Sequence, residues 1–271
     1  EKILRKERLY PGKMLLVDTV QGRIISDEEV KNYYAAQAPY GEWLEDQLLE
    51  LSALPIPNKK TITYGKAELQ QLQQVYGYSY EDINDYLRPM ALEGNEPVNA
   101  MGADTPLALL SQQPQPLFNY FKQLFAQVTN PPIDAIREEI ITSTYVYLGA
   151  DGNLLEDDAE NCKSLAVRNP ILTNTDLLKI KYMDVEGFQV AVIPIIYYRN
   201  MSLEEAIDEL FLKADRAVRD GANILILSDR ELDEFHKPTP SLLAVSALQQ
   251  HLVRTKKRMS LSVILESAEP R

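Results

Sequence analysis

The sequence predicts an α/β fold: an incomplete, rudimentary TIM-barrel-like or doubly wound βαβαβ unit in the C-terminal third, preceded by a mainly helical region. Three observations predict it. Phe188-Gln-Val-Ala-Val-Ile-Pro-Ile195, Ile224-Leu-Ile-Leu227 and Leu261-Ser-Val-Ile-Leu265 are short apolar runs of the kind that form strands covered on both faces. Two stretches of helical period separate them, one opened by Ser202-Leu-Glu-Glu205 at capping-box spacing and one by Pro240. Right-handed crossovers then lay the three strands parallel, with the helices against the sheet.

From the start of the chain, Met14-Leu-Leu-Val17 and Gly22-Arg-Ile-Ile25 read as a small strand pair. Ser26-Asp-Glu-Glu29 has a hydroxyl followed three residues later by a carboxylate, which predicts a helix over about 27–37. Pro39 and Gly41 interrupt it, and a second helical stretch runs through Trp43 to Leu51. Pro55-Ile-Pro57-Asn-Lys-Lys60 is polar and proline-bearing, so the linker is placed over 46–65, between a segment 1–45 and a segment 66–271.

Leu69, Leu72 and Val75 share one helical face, and Ser79 caps a helix carrying Ile83, Tyr86 and Leu87. A helix is expected from Leu117 to Val128, and another from Asp134 to Thr142. A loop-rich stretch around Asp151-Gly152 follows, before the first long strand. In the last third, Ile207, Leu210, Ala214 and Val218 line one helix face, Gly221 ends that helix, and the next runs from Ser241 to Thr255.

The chain has 271 residues, 45% of them hydrophobic, enough for one large domain or two smaller ones. A formal charge of −12 repels phosphate backbones and anionic membrane surfaces, which argues against nucleic-acid and membrane partners. Cys162 is the single cysteine, so an internal disulfide and a thiolate-only metal or iron–sulfur site are excluded. No run of about 18 apolar residues occurs, and the usage of cysteine and charge suits a cytoplasmic setting. Glu1-Lys-Ile-Leu-Arg-Lys-Glu-Arg8 at the start, and a strand pattern six residues before Arg271, give the expectation of a piece of a longer protein.

Chemistry is sparse. Neither G-x-G-x-x-G nor G-x-x-x-x-G-K-[ST] occurs, so the two common nucleotide loops are absent. His236 reads as a loop residue and His251 as a helix-surface residue, and they share no metal-ligand spacing. Cys162 lacks a partnered base, and Asp157-Asp-Ala-Glu160 and Asp229-Arg-Glu-Leu-Asp-Glu234 read as solvated surface. Ligands of open α/β sheets gather at strand carboxyl ends, which makes Ser228, Asp229, Glu266 and Ser267 the possible ligand positions. No catalytic residue and no metal ligand is assigned.

Two irregular segments remain, Met101-Gly-Ala-Asp-Thr-Pro106 and Gln127-Val-Thr-Asn-Pro-Pro-Ile-Asp134. Asn130 and Pro131 each precede a proline and are pushed toward extended backbone, so the second loop is stiff until Asp134 caps the next helix. Together with Ile171-Leu-Thr-Asn174, Asp220-Gly-Ala-Asn-Ile-Leu-Ile-Leu-Ser-Asp229 and Pro240-Ser-Leu-Leu-Ala-Val245, these segments resemble the central region of the glutamate synthase large subunit. Arg8-Leu-Tyr-Pro-Gly-Lys-Met-Leu-Leu-Val-Asp-Thr19 resembles the closing part of that family's class II glutamine amidotransferase domain. Glu266-Ser-Ala-Glu-Pro-Arg271 resembles the run into its flavin-binding barrel, with Ala268 where the family pattern has glycine.

The resemblance covers essentially the whole chain. It implies that 1–45 is a remnant of the amidotransferase domain and 66–271 the central domain of an oxidoreductase that makes two glutamates from glutamine and 2-oxoglutarate. It implies no cofactor in this segment, with FMN and an iron–sulfur cluster elsewhere in the parent enzyme. The implied partners are the amidotransferase and FMN-binding domains of the same chain, and ammonia in transit through a tunnel. By resemblance, Met101, Thr129 and Asn130 belong to the tunnel wall. Read from the residues alone, Met101 equally fills a core gap, and Thr129-Asn-Pro-Pro equally ends the preceding helix. The competing class is a free-standing α/β small-molecule-binding domain with its site at the strand ends.

Overall fold

The computed structural model describes residues 2–3, 6–98, 106, 108–113, 115–121 and 132–270. The chain forms two compact units, Glu1–Leu48 with Asn153–Lys163, and Leu49–Gly152 with Ser164–Arg271.

In the first unit, β1 (Leu16–Asp18) and β2 (Arg23–Ile25) pair antiparallel, as the two apolar runs predict. The Asp18 carboxylate closes the turn by accepting the amides of Val20 and Gln21, each at 2.8 Å. Helix α1 (Asp27–Ala35) starts where Ser26 accepts the Glu29 amide at 3.2 Å, while the Glu29 carboxylate takes a two-point pair from Arg23 at 2.7 and 2.8 Å. Helix α2 (Tyr40–Gln47) follows, and the Tyr40 hydroxyl donates to Asp157 at 3.1 Å. No described residue of this unit is buried, and Leu15, Leu16, Val17 and Ile24 stay exposed.

The helix expected to reach Leu51 stops at Gln47, because the chain turns extended at Leu48 and enters β3 (Leu48–Glu50). A short 3-10 turn, Leu51–Ala53, places Leu51 and Leu54 in the second unit's core. Helix α3 (Lys66–Val75) begins at Gly65, whose amide donates to Glu68 at 3.3 Å. Ser79 caps the next helical run by accepting the Asp82 amide at 3.1 Å. That run is wound as a π-turn over Asp82–Leu87 and becomes α-helical only in α4 (Arg88–Glu93), whose Pro89 has no amide to continue an i to i−4 ladder.

The helix expected over Leu117–Val128 is a 3-10 turn at Leu117–Phe121; the remainder of that expectation lies outside the described residues. Asp134 caps α5 (Ala135–Ile141) by accepting the amides of Ile136 and Arg137 at 3.1 and 3.0 Å, as expected.

The stretch read as loop-rich contains two strands and a helix: β4 (Val146–Leu148), β5 (Ser164–Val167) and α6 (Asn174–Lys181). The strands are three and four residues long, too short for a period to register, and they form a sheet in the order β3-β5-β4. Helix α6 has a capping box between Thr173 and Asp176 that the sequence reading passed over.

The last third builds the expected unit. Strand β6 (Val190–Pro194) is followed by β7 (Ile196–Tyr198), α7 (Leu203–Arg219), β8 (Ile224–Ser228), β9 (His236–Pro238), α8 (Ser241–Arg254) and β10 (Ser262–Glu266). Strands β6, β8 and β10 form one parallel sheet in the order β10-β8-β6, with Ile224 level with Val190 and with Ser262. Strands β7 and β9 make a separate antiparallel pair, which moves His236 from a loop into a strand.

Ser202 and Glu205 complete the capping box that opens α7. At its other end Gly221 takes a φ of +98°, and the Ala222 amide reaches back to the Ala217 carbonyl at 2.9 Å.

Every residue of β8 is buried, and its alternate side chains enter two different cores. Leu225 and Leu227 pack with Leu210 and Ala214 of α7 and with Leu248 and Leu252 of α8. Ile224 and Ile226 pack with Leu165 and Val167 of β5, Leu148 of β4 and Ile180 of α6. The small sheet β3-β5-β4 and α6 therefore cover the face opposite α7 and α8. That double cover explains the continuous apolar run, and fully burying each such side chain contributes about 1.5–3 kcal/mol.

Candidate functional site

The carboxyl end of the parallel sheet gathers the four positions expected there. Register places Ser228 of β8 level with Glu266 of β10, and the residues just past the two strands, Asp229 and Ser267, meet through their side chains. The Ser228 hydroxyl donates to Glu266 Oε2 at 2.6 Å, the Ser267 hydroxyl donates to Asp229 Oδ2 at 2.5 Å, and the Asp229 amide donates to the Glu266 carbonyl at 3.2 Å.

Sequence reasoning missed the residues that complete this cluster. Lys181, the last residue of α6, pairs with Glu266 Oε2 at 2.7 Å, and Arg230 pairs with Glu266 Oε1 at 2.7 Å. Arg230 also donates to Asn174 Oδ1 at 2.9 Å, tying both ends of α6 to the strand ends. From the loop after α3, the Tyr78 hydroxyl donates to the Ala268 carbonyl at 2.6 Å, and the Tyr76 hydroxyl hydrogen-bonds to Asp229. Glu269 accepts the Ser241 amide at 2.5 Å in the first turn of α8. Thr173 and Asp176 carried a legible signal for α6; Tyr76 and Tyr78 carried none, because chain distance hides them from the site.

The electrostatics divides the two carboxylates. Burial pushes the Glu266 carboxyl up, but hydrogen bonds from Lys181 and Ser228 and the charges of Lys181 and Arg230 outweigh it and hold the group below its ordinary value. Burial also pushes Asp229 up, there the hydrogen bonds from Ser267 and Tyr76 do not compensate, and the nearby Glu269 charge adds to the rise. Tyr76 is raised by burial and by Asp229 beside it. Asp229 is only 4% exposed, which separates it from the solvated Glu231 and Glu234 of the same acidic run.

Chemically this is a saturated network: the Glu266 and Asp229 carboxylates are taken by donors of the same unit. Its two cations, Lys181 and Arg230, both pair with Glu266, beside the further carboxylates of Asp229 and Glu269. One cysteine cannot supply an iron–sulfur cluster. Among the described residues no group of three or more His, Cys, Asp or Glu is arranged to hold a metal ion.

The other candidates lie apart from this network. His236 Nδ1 is 2.6 Å from Asp233 Oδ1, and its ring lies 4.4 Å from that of Tyr198. His251 stacks on Phe211 at 4.3 Å and shares Asp215 Oδ1 with Lys257, at 3.1 and 2.6 Å. Cys162 ends a 3-10 turn that Asp158 caps through the Glu160 amide. A shallow groove of about 320 Å³ runs between β6 and α7, past Gln189, Val192, Lys213 and Arg216. Met101, Thr129 and Asn130 lie outside the described residues. Among the described residues no helix is long and apolar enough to cross a membrane.

Comparison with known proteins gives two family matches on this one chain. Residues 71–271 match the family described as glutamate synthase central domain, and residues 1–43 match glutamine amidotransferases class-II. The chain is 45% identical over 271 residues to the glutamate synthase [NADPH] large chain of Bacillus subtilis (strain 168), covering 100% of this chain and 18% of that one. It is 40% identical over 273 residues to ferredoxin-dependent glutamate synthase 2 of Synechocystis sp., covering 98% of this chain and 17% of the relative. It is 37% identical over 289 residues to glutamate synthase [NADH] of Schizosaccharomyces pombe, covering 100% and 14%. The chain thus spans less than a fifth of the length of these relatives.

Proposed function

The chain belongs to the glutamate synthase central-domain family, and on that premise we propose that it is the connecting domain of a glutamate synthase, holding a glutaminase domain and an FMN-bearing synthase domain in register. One observation carries the reading: a single continuous chain matches the amidotransferase family over residues 1–43 and the central-domain family over residues 71–271. The saturated strand ends support it, because side chains that satisfy one another hold a scaffold together and leave few groups to meet a ligand.

The reaction served is the reductive conversion of glutamine and 2-oxoglutarate to two glutamates. FMN and an iron–sulfur cluster belong to the parent enzyme in this reading, where they would relay electrons from an external reductant; no residue assigned here holds them. This chain's own part is passive and geometric. Ammonia travels neutral only where water is excluded, so its path needs apolar walls with a few acceptors held in place. Met101, Thr129 and Asn130 supply that wall, stiffened by Pro131 and Pro132 and anchored where Asp134 caps α5.

The decisive experiment is Thr129→Val in the full-length protein, with glutamine hydrolysed and glutamate formed both counted. Hydrolysis persists and the ratio of glutamine consumed to glutamate formed rises; an unchanged ratio removes Thr129 from the tunnel. Calorimetry of the 271-residue chain with 2-oxoglutarate and with FMN tests the scaffold itself. Silence is expected, and tight stoichiometric binding would favour a ligand site at the strand ends instead.

A further inference from the structure

Four consecutive residues at the end of β10 and just beyond it are each held by groups from elsewhere in the second unit. Glu266 is gripped by Lys181 of α6 and by Arg230 beyond β8. The Ser267 hydroxyl donates to Asp229 and accepts the Glu269 amide at 3.1 Å. The Ala268 carbonyl takes the Tyr78 hydroxyl from 190 positions earlier, and the Glu269 carboxylate takes the Ser241 amide from 28 positions earlier.

The last contact answers a need of α8. Pro240 stands at its N-cap and offers no side-chain bond, so the first-turn amides lack a local acceptor. The Ser241 hydroxyl is fully buried and has no partner among the described residues, so it does not serve as one. Glu269 brings a charged acceptor to the positive end of the helix from outside it, an arrangement favoured by both hydrogen bonding and the helix dipole.

We propose that residues 266–269 form a clasp that couples the loop after α3, through Tyr76 and Tyr78, to the N-terminus of α8 and to the course of the chain beyond β10. The clasp transmits because its contacts are in series. Tyr78 fixes the Ala268 carbonyl, the neighbouring Glu269 is thereby held over Ser241, and Asp229 links Ser267 to Tyr76. Moving the end of α3 therefore moves the α8 cap. That a following domain feels this motion rests on the connecting role proposed above; the clasp itself does not.

Hydrogen exchange read by mass spectrometry on the full-length protein tests it, using Tyr78→Phe, which deletes one hydroxyl and keeps the ring, and Glu269→Ala. In Tyr78→Phe the peptides spanning Glu269 and Ser241 exchange about fivefold faster, the size expected for one neutral hydrogen bond, while the β8 peptide 224–228 stays protected. Coupling is reciprocal, so Glu269→Ala speeds exchange of the Gly77 and Tyr78 amides, which now bond to Gln74 and Gln73. Changes confined to each variant's own neighbourhood would overturn the clasp. If Glu269→Ala does not fold, Tyr78→Phe alone decides. The readout needs no enzyme activity, so its failure is distinct from a failure of the Thr129 test.

Discussion

The Ser228 hydroxyl, at the end of β8, donates to Glu266 Oε2, at the end of β10, over 2.6 Å, so neighbouring parallel strands are tied by side chains where their backbone ladder stops. Glu266 also accepts from Lys181 and Arg230, which makes one carboxylate the junction of β8, β10, α6 and the loop beyond β8. At positions where open α/β sheets usually present groups to a ligand, this chain spends them on itself.

Glu266→Ala leaves Lys181 and Arg230 facing one another without their shared counter-charge. Side-chain exposures of 7% for Glu266, 18% for Lys181 and 26% for Arg230 put the group in the class of largely buried ion clusters. Removing one partner of such a cluster costs about 3 kcal/mol. Urea unfolding, with the midpoint shifted at constant m-value, measures it; a loss under about 1 kcal/mol would mean that solvent screens the cluster.

Asp229 and Glu266 drive stability in opposite directions with pH. Glu266 titrates below its ordinary value of 4.5 in the folded chain, so its contribution is present above 4.5 and disappears as pH falls through the folded value. Asp229 titrates above its ordinary 3.8, so its contribution is present below 3.8 and disappears as pH rises through its raised folded value. Asp229→Asn abolishes the second dependence. Compared at pH 4 and pH 8, the variant therefore gains on the wild type as pH rises; parallel curves would show that Asp229 is not perturbed.

Much of this architecture was legible in the sequence, for reasons tied to particular residues. The run at 224–227 is apolar on both faces because both faces are covered, and Ser202 with Glu205 marked the start of α7 by spacing alone. The small sheet β3-β5-β4 was not legible, since strands of three or four residues have no period and their partners are distant in sequence. At the strand ends, Ser228, Asp229, Glu266 and Ser267 followed from topology, whereas Lys181, Tyr76 and Tyr78 are brought in by tertiary packing that no local pattern encodes.

Double cover of the parallel sheet makes a direct demand on β8. Ile226 and Leu227 point to opposite cores, so Ile226→Ala and Leu227→Ala each cost about 2–5 kcal/mol. Thermal or urea unfolding of both variants reads this out. A small loss for Ile226→Ala alone would mean that the small sheet and α6 do not close over that face.

The two ends of α7 give the last test, because each rests on one residue. Ser202→Ala removes the hydroxyl that accepts the Glu205 amide at 3.2 Å and costs about 1 kcal/mol. Gly221→Ala acts differently: the position has a φ of +98°, and an added Cβ would stand 2.8 Å from the Gln189 side-chain oxygen. That oxygen is the far end of an exposed, flexible side chain that swings aside readily, so the cost lies in the positive φ rather than in the contact. Placing a Cβ on that left-handed backbone costs about 1–2 kcal/mol. Gly221→Ala is expected to lower the unfolding midpoint more than Ser202→Ala, and the reverse order would show that the turn after α7 relaxes to accept a side chain.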